Sequence, residues 1–321
     1  MTKDFNNLWQ KYGTFGILIL VAIVFGITQP GLFFSFNNIT QIILQSSVNI
    51  LIACGVFFAI LIAGIDLSVG SVIALTGMFT AKLLLAGFHP ILAILIGGVI
   101  AGAILGAMNG LLINVTGLHP FIITLGTQSI FRGVALTISK ANPIFGFNAS
   151  FTNTVAGKIP FFGIDIPVPA LIAIGVALIL SFITNKTKLG RNIYALGGNS
   201  QAAWFSGINV KLHTLIVFII SGVCAGIAGV VSTARVGSAE PQAGAGFETF
   251  AIAAAIIGGT SFFGGKGKIF GVVMGGLIIG VISNGLNLSN VPPYYQQIVM
   301  GGLIILAVTV DRLFATKKKG A

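Results

Sequence analysis

Ala63-Gly64-Ile65-Asp66-Leu67-Ser68-Val69-Gly70-Ser71 breaks an otherwise apolar region of the chain. About twenty greasy residues precede it and the apolar sequence resumes straight after it. Asp66 is one of only six acidic residues in 321, with glycines to either side of it and two serines after it. A lone carboxylate between two apolar runs has two readings. Asp66 or Ser68 caps the start of the following helix, accepting its free amide hydrogens, or the stretch Gly64, Asp66, Ser68, Gly70 is a hinge in a gate.

The composition places both runs in a membrane. Hydrophobic residues make up 55% of the chain and charged residues 7%, with a mean hydropathy of +1.03. Soluble domains carry about a quarter charged residues. Spans in lipid must satisfy their own backbone groups, and unalternating apolar runs near twenty residues select helices over a barrel. The expected fold is all-α: a polytopic membrane protein with about ten transmembrane helices in a single domain, residues 1–321. The expected spans are 13–28, 42–62, 69–85, 91–113, 121–138, 166–184, 212–234, 248–263, 269–286 and 297–314. The first has no cleavage site after it and reads as a retained anchor.

The net charge of +11 follows from topology, not from a nucleic-acid partner. With both termini inside, twelve basic residues fall on the inner side, among them Lys186, Lys188, Arg191, Lys211, Lys266, Lys268 and the tail Lys317–Lys319. Four fall outside: Lys82, Lys140, Lys158 and Arg235. That excess puts both termini, and Asp66, at the cytoplasmic side. Glu240, Glu248 and Asp311 read as span-edge residues.

Several chemistries are excluded. No Gly-x4-Gly-Lys-Ser/Thr motif exists, so the chain holds no P-loop nucleotide site. No metalloprotease or serine-hydrolase motif appears. His89, His119 and His213 lie far apart at span edges with no metal-ligand spacing, and nothing points to a cofactor. Within the spans the polar residues are mostly neutral, which suits a hydroxyl-rich solute. Asn49, Asn109, Gln128, Arg132, Asn284 and Asn287 are the candidates for the path. Gln128 and Arg132 share one helix face at i and i+4, as Asn284 and Asn287 do at i and i+3. For each of these, an interhelical hydrogen bond is the competing reading.

Two further stretches stand out. Residues 258–268 hold five glycines, and Gly259, Gly264 and Gly265 make either a tight hairpin or an inner gate. Residues 185–211 expose Trp204 and Phe205 around a short segment, 200–205, that Asn199 can cap. Glycines recur every four residues at 98, 102, 106 and 110, and again at 222 and 226, as close-packing stripes within the bundle or at another interface. The two interrupted helix pairs suggest an internal repeat.

Six ordered motifs carry a family resemblance: Gly-Ile-Asp-Leu-Ser-Val-Gly-Ser at 64–71, Thr-Leu-Gly-Thr-Gln-Ser-Ile-Phe-Arg-Gly at 124–133, Gly-Arg-Asn-Ile-Tyr-Ala-Leu-Gly-Gly-Asn at 190–199, Ser-Gly-Ile at 206–208, the glycine hairpin at 258–267, and Asn-Gly-Leu-Asn-Leu at 284–288. With these the chain resembles the membrane permeases of ribose-type bacterial ABC sugar importers. Trp204 departs from the family, which often has a basic residue there, and Ala63 stands where Ser or Gly is usual. The resemblance implies a homodimer in the bacterial inner membrane, ABC ATPase subunits below it and a periplasmic sugar-binding protein above it. It implies a coupling helix in the 185–208 loop, with Gly197, Gly198, Asn199, Ala202, Ala203, Trp204 and Gly207 at the ATPase contact. The implied activity is import of a monosaccharide such as ribose or allose by alternating access. A stand-alone sugar transporter is the alternative, but it needs a coupling-ion site, usually a carboxylate pair in the membrane.

Overall fold

The computed structural model describes residues 2–161 and 164–317, with side chains from 13 to 309 apart from 161–164 and 293. Lys318 and Lys319 of the expected basic tail lie outside the described residues. Each expected span falls on a helix. The helices are α1 (Thr2–Thr28), α2 (Phe36–Leu61), α3 (Val69–Leu85), α4 (Pro90–Thr116), α5 (Pro120–Ser139), α6 (Ala149–Ala156), α7 (Val168–Lys186), α8 (Lys188–Gly198), α9 (Ser200–Phe205), α10 (Val210–Val236), α11 (Phe247–Ile257), α12 (Ile269–Leu288) and α13 (Pro293–Lys317). An antiparallel hairpin of β1 (Lys158–Phe161) and β2 (Ile164–Pro167) precedes α7, and among the described residues these are the only strands besides an isolated bridge between Ile144 and Ala239.

Among the described residues six helices are long and apolar enough to cross a membrane: α2, α4, α5, α7, α10 and α12. The apolar stretches 13–28, 69–85, 247–257 and 294–309 are shorter. The expected span 248–263 is cut back to α11, eleven residues long. Its glycines 258, 259, 264 and 265 end the helix and turn the chain, the last three of them at positive φ.

Local sequence sets the helix ends. Ser35, Thr187, Asn199 and Asn209 each accept a backbone amide of the helix that follows, as N-cap side chains do. His89-Pro90 and His119-Pro120 open α4 and α5 with Pro in the first helical position, where its missing N–H costs nothing. Gly117 and Gly237 close α4 and α10 in the left-handed conformation.

The centre is a sandwich of α2, α3, α4, α10 and α12. The glycine stripes of α4 and α10 fit into each other. A Cβ on Gly102 would strike the carbonyl of Gly222, one on Gly222 the carbonyl of Gly102, and one on Gly226 the carbonyl of Gly98. These stripes are internal packing, as lipid-embedded helices without a hydrophobic drive between them require. On the outer edge of α4 the turn widens to a π-helix over Ile94–Ile100, where Gly97 meets the backbone of Thr80.

Candidate functional site

The break between α2 and α3 is buried in the bundle. After Leu61 the chain turns at Ala63, a non-glycine residue at φ +56°, and runs back beside α10 before α3 begins. Asp66 is 1% exposed. Its Oδ1 accepts the Ser68 amide at 3.0 Å and the Ser68 hydroxyl at 2.6 Å, and its Oδ2 accepts the Ser221 hydroxyl at 2.7 Å. Asn109 donates its Nδ2 to Ser68 Oγ at 2.8 Å, and Thr124 donates its hydroxyl to the carbonyl of Ile65 at 2.9 Å. One turn is therefore tied to α4, α5 and α10 at once.

This corrects the placement from charge. Ser221 is the twelfth residue of α10, roughly 16 Å along a helix of about 40 Å at 1.5 Å per residue. Asp66 thus stands well inside the bundle, not at its inner mouth. The reason is that the chain climbs back into the bundle after α2 before α3 starts. No side-chain cap bond reaches an amide of α3. Asp66 takes the amide of Ser68, while the Ser68 side chain makes no cap bond.

A second short helix meets the first. Gly237–Gly246 runs back into the bundle from the far end of α10, and α11 then begins at Phe247. Gly70, in the first turn of α3, faces Gly244, so that a Cβ on either would run into the other's carbonyl, at 2.6 Å for Gly244. The N-termini of α3 and α11 come together, one preceded by Asp66 and the other carrying Glu248 in its first turn. Carboxylates there answer the positive ends of two helix dipoles. Glu248 Oε1 accepts from Gln128 Nε2 at 3.0 Å, and its Oε2 lies beside Gly70, buried and without a hydrogen-bond partner. Arg132, one turn along α5 from Gln128, donates to the carbonyls of Pro241 at 2.6 Å and Ala243 at 2.8 Å. Glu248 stands at the edge of its helix, as expected, and that edge packs against the first turn of α3. The sequence signal for it was present: an acid just after Gly244 and Gly246, opening an apolar run.

At the opposite end of the break, three backbones converge. Gly265 N donates to Leu61 O at 2.8 Å. A Cβ on Gly264 would stand 2.8 Å from Gly197 O and 3.1 Å from Ala63 N, and one on Gly265 would stand 2.9 Å from Gly198 N. The hairpin of α8 and α9 thus rests on both interrupted turns. Tyr194 adds a bond from its hydroxyl to Gly267 O at 2.7 Å, and burial raises its phenol pKa. Asn192 pairs with His213, fastening α8 to α10, and Asn114 of α4 donates to Lys211 O at the start of α10.

The expected 200–205 segment forms as α9. Asn199 Oδ1 accepts Ala202 N at 3.0 Å, and Gly207 closes the turn at φ +82°. Ala203 is buried beneath it, while Ala202 is exposed. Trp204 and Phe205 are 62% and 80% exposed and lie edge to face, with ring centroids 4.9 Å apart. Two large aromatic rings presented together on a one-turn helix form a surface suited to a partner.

The family profile of the branched-chain amino acid transport system permease component matches residues 38–308. The chain belongs to that permease family. It is similar to the D-allose transport system permease protein of Escherichia coli strain K12, with 63% identity over 97% of this chain and 94% of that protein. It is 42% identical to the ribose import permease of Bacillus subtilis strain 168, over 96% of this chain and 94% of the relative. The galactose/methyl galactoside import permease of Salmonella typhimurium strain LT2 is 37% identical over 97% of each. No solved structure matches. The family expected from the six motifs is thus the family found.

Within this permease the six path candidates separate. Gln128 and Arg132 meet at the α3–α11 junction. Asn109 belongs to the Asp66 cluster, where its Oδ1 is buried without a partner. Asn284 forms a two-way amide pair with Asn38, at 3.0 and 2.8 Å, that holds α12 to α2. Asn287 is exposed and accepts from Gln296. Asn49 is buried on α2. The competing reading of an interhelical bond therefore fits Gln128, Asn284 and Asn287, and Asn109 ties α4 to the turn before α3.

Proposed function

We propose that this chain is the membrane permease of an ABC importer for a monosaccharide, in the class of ribose or allose. In this reading it works as a homodimer in the bacterial inner membrane, embedded in lipid, with both termini in the cytoplasm. A separate ABC ATPase hydrolyses ATP, and a periplasmic sugar-binding protein delivers the substrate. The relatives' printed activities support the substrate class: D-allose, ribose and galactose transport.

The observation that carries the mechanism is the backbone contact of the α8–α9 hairpin with both interrupted turns. An ATPase gripping Trp204 and Phe205 moves α9. The push passes through Gly197 and Gly198 to Leu61 and Gly265. α3 starts from the first of those turns and α11 ends at the second, so one displacement shifts both short helices and opens one side of the path while it closes the other. The contact is backbone on backbone, which transmits displacement with little side-chain slack.

The test is sugar uptake into vesicles holding the permease, its ATPase and the binding protein. Uptake should require internal ATP and the binding protein. Accumulation without either would reject the ABC assignment in favour of a stand-alone transporter. The separation of Asp66 from Glu248 by the first turn of α3, with Asp66 fully engaged by three donors, gives that alternative no open carboxylate pair for a coupling ion.

A further inference from the structure

We infer that the face formed by α5 and residues 241–249 is the sugar-contacting wall of the path, with Glu248, Gln128 and Arg132 as its hydrogen-bonding set and Gln242 and Thr249 at its open side. The inference rests on the sugar-permease reading and adds where the sugar touches the chain.

Depth and exposure carry the argument. Gln128 and Arg132 stand about 12 and 18 Å along α5, a helix about 30 Å long, so both are in its middle third. The outer surface of α5 around them is apolar, with Ile122, Leu125, Ile130 and Val134 exposed. Against that background Gln128, Arg132 and Glu248 are half-buried, while Ser129, Gln242 and Thr249 are exposed. A guanidinium, a carboxylate and an amide reaching the surface in mid-span is an arrangement lipid penalises, and such groups face water-filled cavities or other protein. Elsewhere the exposed mid-span surface is aliphatic, as Ile174, Leu178 and Ile179 on α7 show.

The chemistry suits a sugar. A carboxylate accepts two hydroxyl protons, a guanidinium donates to ring and hydroxyl oxygens, and an amide does both. Arg132 and Glu248 are held in place by the backbone of 241–243 and by Gln128, so the set is built before a substrate arrives. Glu248 also touches the first turn of α3 at Gly70, so the group that meets the sugar sits on the short helices that the α8–α9 hairpin would shift.

The test uses the assembled transporter with single cysteines in place of Gln242 and Thr249, and at Leu178 as a lipid-facing comparison. Each folds with a small exposed thiol and is modified afterwards with a charged, membrane-impermeant thiol reagent. Q242C and T249C should label, sugar-loaded binding protein with ATP should change the labelling rate, and labelling should cut uptake about tenfold, the scale of a lost charged hydrogen bond. L178C should neither label nor respond. In a second measurement, Glu248→Gln should lower uptake and alter the ranking among ribose, allose and galactose at equal protein in the membrane. Absence of labelling at both positions, or labelling without loss of uptake and with an unchanged sugar ranking in Glu248→Gln, would overturn the assignment. ATP-dependent uptake by the unmodified complex is scored separately: its absence rejects the sugar-importer reading, and its presence with inert labels rejects only this wall.

Discussion

Gly197 touches Leu61 so closely that a side chain has no room: a Cβ there would overlap the Leu61 carbonyl oxygen and stand 2.7 Å from the amide nitrogen of Gly265. Gly197→Ala should lever α8 off both turns. Overpacking of this kind costs about 1–3 kcal/mol. Gly198 has no atom within 4 Å of its own missing Cβ, so Gly198→Ala is a matched control. In reconstituted vesicles, Gly197→Ala should keep ATP hydrolysis and lose most sugar uptake, while Gly198→Ala behaves as the parent. An unchanged ratio of uptake to hydrolysis in Gly197→Ala sinks the proposed route.

At Asp66 shape and charge can be separated. Asp66→Asn keeps an oxygen for the Ser68 amide and hydroxyl and offers an amide that Ser221 Oγ can accept. Asp66→Leu strands these donors in the bundle, and each unsatisfied group costs about 1–3 kcal/mol. Thermal unfolding in detergent should place the Asn variant near the parent and the Leu variant far below it. Equal loss in both would mean that the negative charge, set against the start of α3, carries the stabilisation.

The Asn38–Asn284 amide pair should behave as a structural clamp. A double-mutant cycle with Asn38→Ala and Asn284→Ala should give a coupling of about 0.5–1.5 kcal/mol in unfolding, with sugar selectivity unchanged in both single variants. A shift in sugar preference on Asn284→Ala would return that residue to the path.

Trp204→Asp changes an exposed ring, so the permease should insert and unfold as the parent does. Its retention of the ATPase subunit during purification should fall sharply. Full retention would place the ATPase contact away from α9.

Much of this was legible in the sequence because it rests on local rules. Apolar runs located the helices, the capping residue Asn199 announced α9, and four-residue glycine spacing marked α4 and α10 as close-packing helices. What escaped was depth. Positive charges report which side a loop lies on, but not how far a chain folds back between two helices. Charge therefore places Asp66 at the rim, although it is buried just before the start of α3 and bonded to Ser221 within α10. Local pattern also cannot say that Gly197, Leu61 and Gly265, remote from one another in the chain, meet backbone to backbone. Nor can it tell an asparagine bound to another helix, such as Asn284, from one facing a solute.

The eleven-residue length of α11 has a consequence for how the protein is made. At 1.5 Å per residue it is about 16 Å long, roughly half the hydrocarbon thickness of a bilayer. It is too short to enter the bilayer as a spanning segment by itself, and the turn before it packs against Gly70 of α3. During synthesis this part of the chain must wait for α12 to emerge and enter with it as a hairpin, against helices already inserted. The order of biogenesis is thus written into the same short helix that meets α3.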